Sequence, residues 1–337
     1  MTLPTSNASQ ATINPFNQLL LDCQNNPKQI QSRYESHRSN RNAQQKEKLL
    51  HLDFPGWQVD EILAKLVAQE QASNIDAESN GTPVPPAPFT DHRHNLNLYA
   101  RPPQHTRELI AEIHREISDV VPDIWLSPAS SLHVTILEIT SSRTEDEINA
   151  LATHLLENGT AAELVDYTSK AEHRTRLVKP MLSYDASAMA LSFLPAAGEP
   201  HPSSLSSAED VDGNKYNYTY HHLRRDLADR VLEAGVNPGA RYIVPSAHVT
   251  IARFVSRDGE GVDIEKQKAA ALVERVERVN GMLKERYWPG PETQGKDGST
   301  AMLAKGEWVI GHEEGLEFNK GTSWYGGGER VLVGKGH

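Results

Sequence analysis

The sequence predicts an α+β fold made of two similar lobes, and three observations lead there. Strand-like segments with a period of two alternate with segments of helical period. The order strand, helix, strand, helix occurs twice. The tetrapeptide His-Val-Thr-Ile stands at 133–136 and again at 248–251, 115 residues further on. Together these predict an internal duplication: two βαβα lobes packed as one domain about an approximate two-fold axis.

The elements follow in order. Residues 1–71 are rich in Gln, Asn, Ser and charge, with short helical patterns at 17–23, 28–50 and 59–69 that have few apolar anchors. They read as a helical N-terminal arm, partly disordered or laid across the main domain. Residues 72–91 contain Asn80-Gly-Thr-Pro-Val-Pro-Pro-Ala-Pro88 and read as a Pro-rich linker, because such a stretch buries too little apolar surface to offset chain entropy. The bilobal domain is expected over 92–337, with repeats at about 95–170 and 180–290 and C-terminal strands within 299–337.

In the first repeat, Asn95–Tyr99 alternates as a strand stopped by Pro102 and Pro103. A helix over 105–121 places Leu109, Ile110, Ile113 and Ile117 on one face. Ser131–Thr140 reads as a β-branched strand and 145–156 as a helix, where Thr144 and Glu147 have the spacing of a capping box that accounts for the acidic run Glu145-Asp146-Glu147. In the second repeat a strand at 187–194 precedes a polar insertion over 195–218. A helix at 220–234 carries Leu223, Leu227 and Val231, a strand covers 246–254, and a long helix covers 264–287. Shifting the first helix by 114 superposes Leu109, Ile113 and Ile117 on Leu223, Leu227 and Val231, a one-residue slip against the 115 that separates His133 from His248. Beyond these, Glu307–Gly311 and Arg330–Gly334 alternate as strands with Trp324-Tyr325-Gly-Gly-Gly328 between them, and they are expected to complete a sheet.

Composition excludes several classes. The chain has 337 residues, 34 Lys+Arg against 45 Asp+Glu, a net charge of -11, and 38% hydrophobic residues. Such acidity argues against coating long RNA or DNA, whose affinity comes from clustered cations releasing phosphate counterions. It leaves a small phosphate ligand open. The lone Cys23 rules out a disulfide framework or a Cys-based zinc site within the chain. No apolar run is long enough to span a membrane, and the N-terminus lacks a signal peptide, so an intracellular protein, cytoplasmic or nuclear, is expected.

The chemistry lies in the paired motifs. On a strand, alternate residues share a face, so His133 and Thr135 point one way while Val134 and Ile136 point into the core, and the same holds for His248 and Thr250. Two imidazoles and two hydroxyls meeting across one cleft suit a phosphodiester. In-line displacement at phosphorus needs a base on the attacking oxygen, an acid on the leaving oxygen, and donors on the non-bridging oxygens between them. Histidine fills either proton-transfer role near neutral pH, threonine fills the third, and neither a metal nor a cofactor is required. For one copy alone, a core histidine with threonine present for β-propensity is the better explanation. The repetition is what favours chemistry.

At these residues the chain resembles the 2H phosphoesterase superfamily, which has two His-x-Thr/Ser motifs on a duplicated bilobal fold of two antiparallel-sheet lobes with flanking helices around a central cleft. The strand end Tyr99-Ala-Arg-Pro-Pro103 and Trp324-Tyr-Gly-Gly-Gly328 resemble the fungal RNA ligase/cyclic nucleotide phosphodiesterase group. The resemblance covers about 92–337. It implies metal-independent hydrolysis of 2′,3′-cyclic phosphates, with His133 and His248 catalytic and Thr135 and Thr250 binding phosphate. The expected partner is a small cyclic nucleotide or an RNA end carrying a cyclic phosphate, taken by a monomer with no membrane association. Two alternatives stay open: a catalytically silent nucleotide-binding module, and a 2′,5′-phosphodiesterase that uses the same four residues.

Tyr99, Trp125, Trp324 and Tyr325 are candidates for stacking on a base, and Arg101 and Arg253 for phosphate contacts. Strict alternation puts Arg253 opposite His248, so only a bulge or strand-end twist brings it to the cleft. His92, His94, His221 and His222 read as solvated loop histidines, not zinc ligands. Gly328–Lys335 fails as a P-loop, since Gly336 stands where Ser/Thr is needed, and Lys296-Asp297-Gly298 lacks the residue between Lys and Asp found in adenylylating ligases.

Overall fold

The computed structural model describes residues 14–78, 88–199, 217–239, 243–257, 261–289 and 304–337. Most of the expected linker, most of the polar insertion, and Lys296-Asp297-Gly298 lie outside the described residues.

Helices α1 (Asn17–Asp22), α2 (Pro27–Leu50) and α3 (Glu61–Glu78) come first. Asn26 starts α2 by accepting from the amides of Lys28 and Gln29, with Pro27 at the first helical position, where its missing N–H costs nothing. Its few buried side chains, Ile30, Tyr34, Arg38 and Leu49, include three that recur every fourth residue and form one stripe. That stripe lies against the second half of the molecule. Tyr34 Oη bonds His221 Nδ1 at 2.9 Å, and Arg38 donates to the Lys179 carbonyl at 2.7 Å. Phe16, Leu20, Phe54 and Trp57 are buried in the same core, and Trp57 stacks on Phe254 with centroids 4.0 Å apart.

The strands are β1 (His94–Ala100), β2 (Trp125–Leu126), β3 (Val134–Arg143), β4 (Arg176–Tyr184), β5 (Ala188–Pro195), β6 (Ala247–Arg253), β7 (Trp308–Val309), β8 (Glu317–Gly321) and β9 (Glu329–Val333). The remaining helices are α4 (Gln104–Ser118), α5 (Glu145–Glu157), α6 (Thr160–Val165), α7 (Tyr220–Glu233) and α8 (Val262–Tyr287). The fold is α+β. Among the described residues all strands join one antiparallel sheet of nine, in the order β7-β4-β5-β6-β3-β1-β8-β9, with β2 pairing on β6.

This corrects the expectation of two separate sheets. The halves are continuous because Val134 of β3 pairs with Val249 of β6 at the centre. They also interlock. In α4, Leu109, Ile110, Ile113 and Ile117 are buried as their spacing requires, each worth roughly 1.5–3 kcal/mol of apolar burial, yet α4 packs behind β6 of the other half. In return α7 packs behind β3, with Leu223, Leu227 and Val231 buried. The predicted capping box of α5 is present, Thr144 and Glu147 bonding reciprocally.

Other differences have local causes. β4 contains Pro180 and a left-handed Lys179 (φ 56), and β8 reads Glu-Phe-Asn-Lys-Gly, so neither shows β-branched alternation. The two C-terminal segments predicted to lie together stand at opposite edges of the sheet, β7 beside β4 and β9 beside β8. His221 and His222 are buried helix residues, not solvated ones. The His221 Nε2–H donates to the Phe16 carbonyl at 3.0 Å, and Nδ1 accepts from the Tyr34 hydroxyl. No described helix is long and apolar enough to cross a membrane.

Candidate active site

The two His-Val-Thr-Ile segments meet where the halves join. One antiparallel pair, Val134 with Val249, fixes the register, and moving one residue either way sets His133 across from Thr250 and Thr135 across from His248. Both valines are buried, whereas all four polar residues are partly exposed and line one cleft of about 260 Å³. The alternation expected from sequence thus puts the four groups on a shared face.

Immediately afterwards each strand breaks phase at the equivalent position. On β3, Thr135 pairs with Tyr99 and Leu137 with Leu98, leaving Ile136 as an extra residue. On β6, Thr250 pairs with Ala190 and Ala252 with Met189, leaving Ile251 extra. A bulge turns the following side chains over. The fifth residue after each histidine, Glu138 on β3 and Arg253 on β6, therefore lines the cleft. The carbonyl of each bulged residue is held by the crossing helix: Arg224 Nε of α7 donates to Ile136 at 3.1 Å, and His114 Nε2 of α4 donates to Ile251 at 2.9 Å.

Both catalytic candidates are held through Nδ1 by the residue two positions earlier. His133 Nδ1 donates to the Ser131 carbonyl at 2.8 Å, and since a carbonyl only accepts, the neutral ring carries its lone pair on Nε2. His248 Nδ1 lies 3.0 Å from the Ser246 hydroxyl, which can accept or donate. Burial pushes both histidines down to about 4. At His133 the Ser131 bond opposes that shift, and at His248 the cations Arg224 and Arg41 add to it. Above that pH both rings are neutral in the free protein.

The other candidates are placed as follows. Tyr99 is 2% exposed, and its ring packs on His133 with centroids 4.0 Å apart. Its hydroxyl donates to the Ser323 carbonyl at 3.1 Å and accepts from Asn97, so its ring is fixed against the imidazole at the wall of the cleft. Arg101 does not line the cleft. Glu317, a buried carboxylate on β8, binds it through two contacts of 2.8 and 2.7 Å, and the Ser130 and Leu132 carbonyls take a third donor. Trp125, Trp324 and Tyr325 do line it. Arg93, held by two bonds to Asp91, lies over the Trp324 ring at 4.8 Å, and Arg253 lies 5.5 Å from the Tyr325 centroid.

Sequence reasoning missed Asp60, Arg93, Glu138, Arg224 and Ser246. Asp60 comes from the N-terminal segment, where it accepts from the Leu63 amide at the start of α3, from the Tyr325 hydroxyl at 2.7 Å and from Arg253 at 3.4 Å. For Ser246 a signal was present, since Ser precedes both histidines by two, in Ser131-Leu-His133 and Ser246-Ala-His248. Gly326, at φ +84, brings its backbone against Ser131; a Cβ there would stand 2.0 Å from the carbonyl oxygen that positions His133.

An α+β chain with a two-histidine cleft at the centre of one antiparallel sheet is the class that fold and site define. No protein-family model matches it, and no curated protein matches it. Among solved structures it is similar to a conserved protein of unknown function from Agrobacterium tumefaciens, at 10% identity and a TM-score of 0.44 over 76% of this chain and 95% of that one. It is also similar to Usb1 from Kluyveromyces marxianus, at 11% identity and a TM-score of 0.31 over 72% of this chain and 96% of that one. The structure of that Usb1 with uridine monophosphate matches at 12% identity and a TM-score of 0.33, with the same coverage.

Proposed function

We propose that this protein is a phosphodiesterase of the two-histidine type that opens 2′,3′-cyclic phosphates on nucleotides or RNA ends without a metal. The observation that carries the reading is the antiparallel Val134–Val249 pair, which sets His133, Thr135, His248 and Thr250 on one face of one cleft.

In the proposed reaction a water attacks phosphorus opposite one ribose oxygen. One imidazole takes the water proton through Nε2 as the new P–O bond forms. The other, protonated, gives its proton to the ribose oxygen as the old bond breaks, leaving a phosphate monoester and a free hydroxyl. The Thr135 and Thr250 hydroxyls donate to the non-bridging oxygens, where charge builds in the transition state. Each proton transfer is worth roughly 10²–10⁴ in rate. The lowered histidine pKa values keep a ring neutral and its Nε2 free to take the water proton, while making it a weaker base. The acid role draws its proton when the anionic phosphate enters and favours the charged ring.

The test is incubation with the four 2′,3′-cyclic mononucleotides in the presence of a chelator, with products identified by phosphorus NMR. Conversion to a monoester is expected. Tight binding with no product would instead identify a silent binding module.

A further inference from the structure

The catalytic groups are two-fold related, but the residues that the paired bulges turn into the cleft are not. Glu138 and Arg253 occupy equivalent places, five residues after His133 and His248, and carry opposite charges. Because β3 and β6 run antiparallel through the Val134–Val249 pair, these places lie at opposite ends of the cleft, each roughly 13 Å of strand from its centre. A phosphodiester seated between the histidines therefore meets the Glu138 carboxylate in one direction and, in the other, the Arg253 guanidinium paired with Asp60.

The Arg253 end is also where a nucleotide chain finds its other contacts. Trp125 pairs with Arg253 in the β2–β6 ladder, and the Tyr325 ring lies against its guanidinium. Asp60 holds Nη1 at 3.4 Å, while the same carboxylate takes the Tyr325 hydroxyl and the Leu63 amide. The guanidinium is thus oriented by a loose contact, its side chain is 25% exposed, and it has further donors for an anion. Of the other cations lining the cleft, Arg224 is 3% exposed and directs Nε and Nη1 at the carbonyls of Ile136 and Val244, and Arg93 is bound by the Asp91 carboxylate and donates to the Tyr325 hydroxyl at 3.2 Å.

Building on the two-histidine reading above, we propose that Arg253 makes the cleft directional. The substrate lies with its phosphate-bearing chain toward Arg253, Trp125 and Tyr325 and away from Glu138. The site accordingly prefers a cyclic phosphate that terminates an oligonucleotide over one on a lone nucleoside, because only the former offers Arg253 a second phosphate. Charge-assisted contacts of this kind discriminate by about tenfold or more.

The experiment compares kcat/KM for adenosine 2′,3′-cyclic phosphate and for the adenylyl-adenosine dinucleotide ending in 2′,3′-cyclic phosphate, using the full chain. Wild type is expected to favour the dinucleotide by about tenfold, with the ratio shrinking as ionic strength rises. Arg253→Gln brings the ratio toward one, chiefly by raising KM for the dinucleotide, and Arg253→Lys, which keeps the charge, retains a substantial part of it. A wild-type ratio near one, or a ratio unchanged in Arg253→Gln, overturns directionality while the proposed function stands. Hydrolysis of neither substrate overturns both. A dinucleotide KM equally raised in Arg253→Lys and Arg253→Gln would assign Arg253 a packing role and also overturns the proposal.

Discussion

At the scale of single residues, the account depends on how two imidazoles are held. A carbonyl fixes His133 through Nδ1, the Tyr99 ring supports its face, and burial strips the proton from both histidines down to about pH 4. The pH dependence follows with a definite sign. kcat/KM reports the free protein, in which one ring must be neutral and the other charged, so its optimum should lie on the acid side of the ordinary histidine value near 6.5. kcat reports the complex, where the phosphate anion favours the charged ring, so its profile should sit at higher pH than that of kcat/KM. Coincident profiles centred near pH 7 would show that the cleft does not desolvate the rings enough to lower them. A second residue-scale expectation concerns Gly326. An alanine there forces its Cβ onto the Ser131 carbonyl and strains a left-handed backbone, at a cost of about 1–3 kcal/mol. Gly326→Ala should lower kcat at least tenfold and shift the Nε2 titration of His133 seen by NMR; a variant with wild-type kcat would separate that loop from catalysis.

Elements explain what was legible in the sequence. The His-Val-Thr-Ile pair was readable because strand alternation is a local rule, and register then delivered the four groups to one face. The rule fails one residue later. Bulges at Ile136 and Ile251 depend on which carbonyls the crossing helices can reach, Arg224 for one and His114 for the other, and no local pattern encodes that reach. Alternation marks Arg253 as reaching the cleft only through such a bulge, whereas nothing in the sequence marks Glu138, its counterpart. Arg101 read as a phosphate ligand because its partner Glu317 lies on β8, a strand without a recognisable pattern and 216 residues away. The helices before residue 79 were legible as helices, but the sequence left open whether they dock, since α2 carries its four buried side chains on a polar sequence. Their attachment can be tested at Tyr34, whose hydroxyl donates to the buried His221. Tyr34→Phe leaves that nitrogen without its donor and should cost about 1–3 kcal/mol in urea unfolding. An unchanged midpoint would mean that α2 is not cooperatively docked on α7.

For the whole molecule, the interlocked halves imply one cooperative unit with a characteristic acid sensitivity. Burial lowers His133, His248 and His222 to about 4 and His221 to about 3. Between roughly pH 6.5 and 4 the unfolded chain binds protons on these rings that the folded chain does not, so stability falls as pH drops through that window. Thermal unfolding should therefore show Tm declining from pH 7 to pH 4.5 in a single transition. A Tm flat over that range would contradict the desolvation of these histidines, and two separated transitions would contradict the continuous sheet. The near symmetry of the paired motifs has its consequence at this scale too. The two halves contribute one cleft histidine each, so the proposed site needs both.

The central claim, that His133 and His248 act together on one phosphate, is tested most directly by kcat/KM for a 2′,3′-cyclic nucleotide in His133→Ala, His248→Ala and the double variant. Groups that act as a unit lose their effect together. Each single variant is expected to fall by about 10²–10⁴, and the double variant to fall little further than the worse of the two. Wild-type turnover in either single variant, or losses that simply multiply in the double, would contradict it.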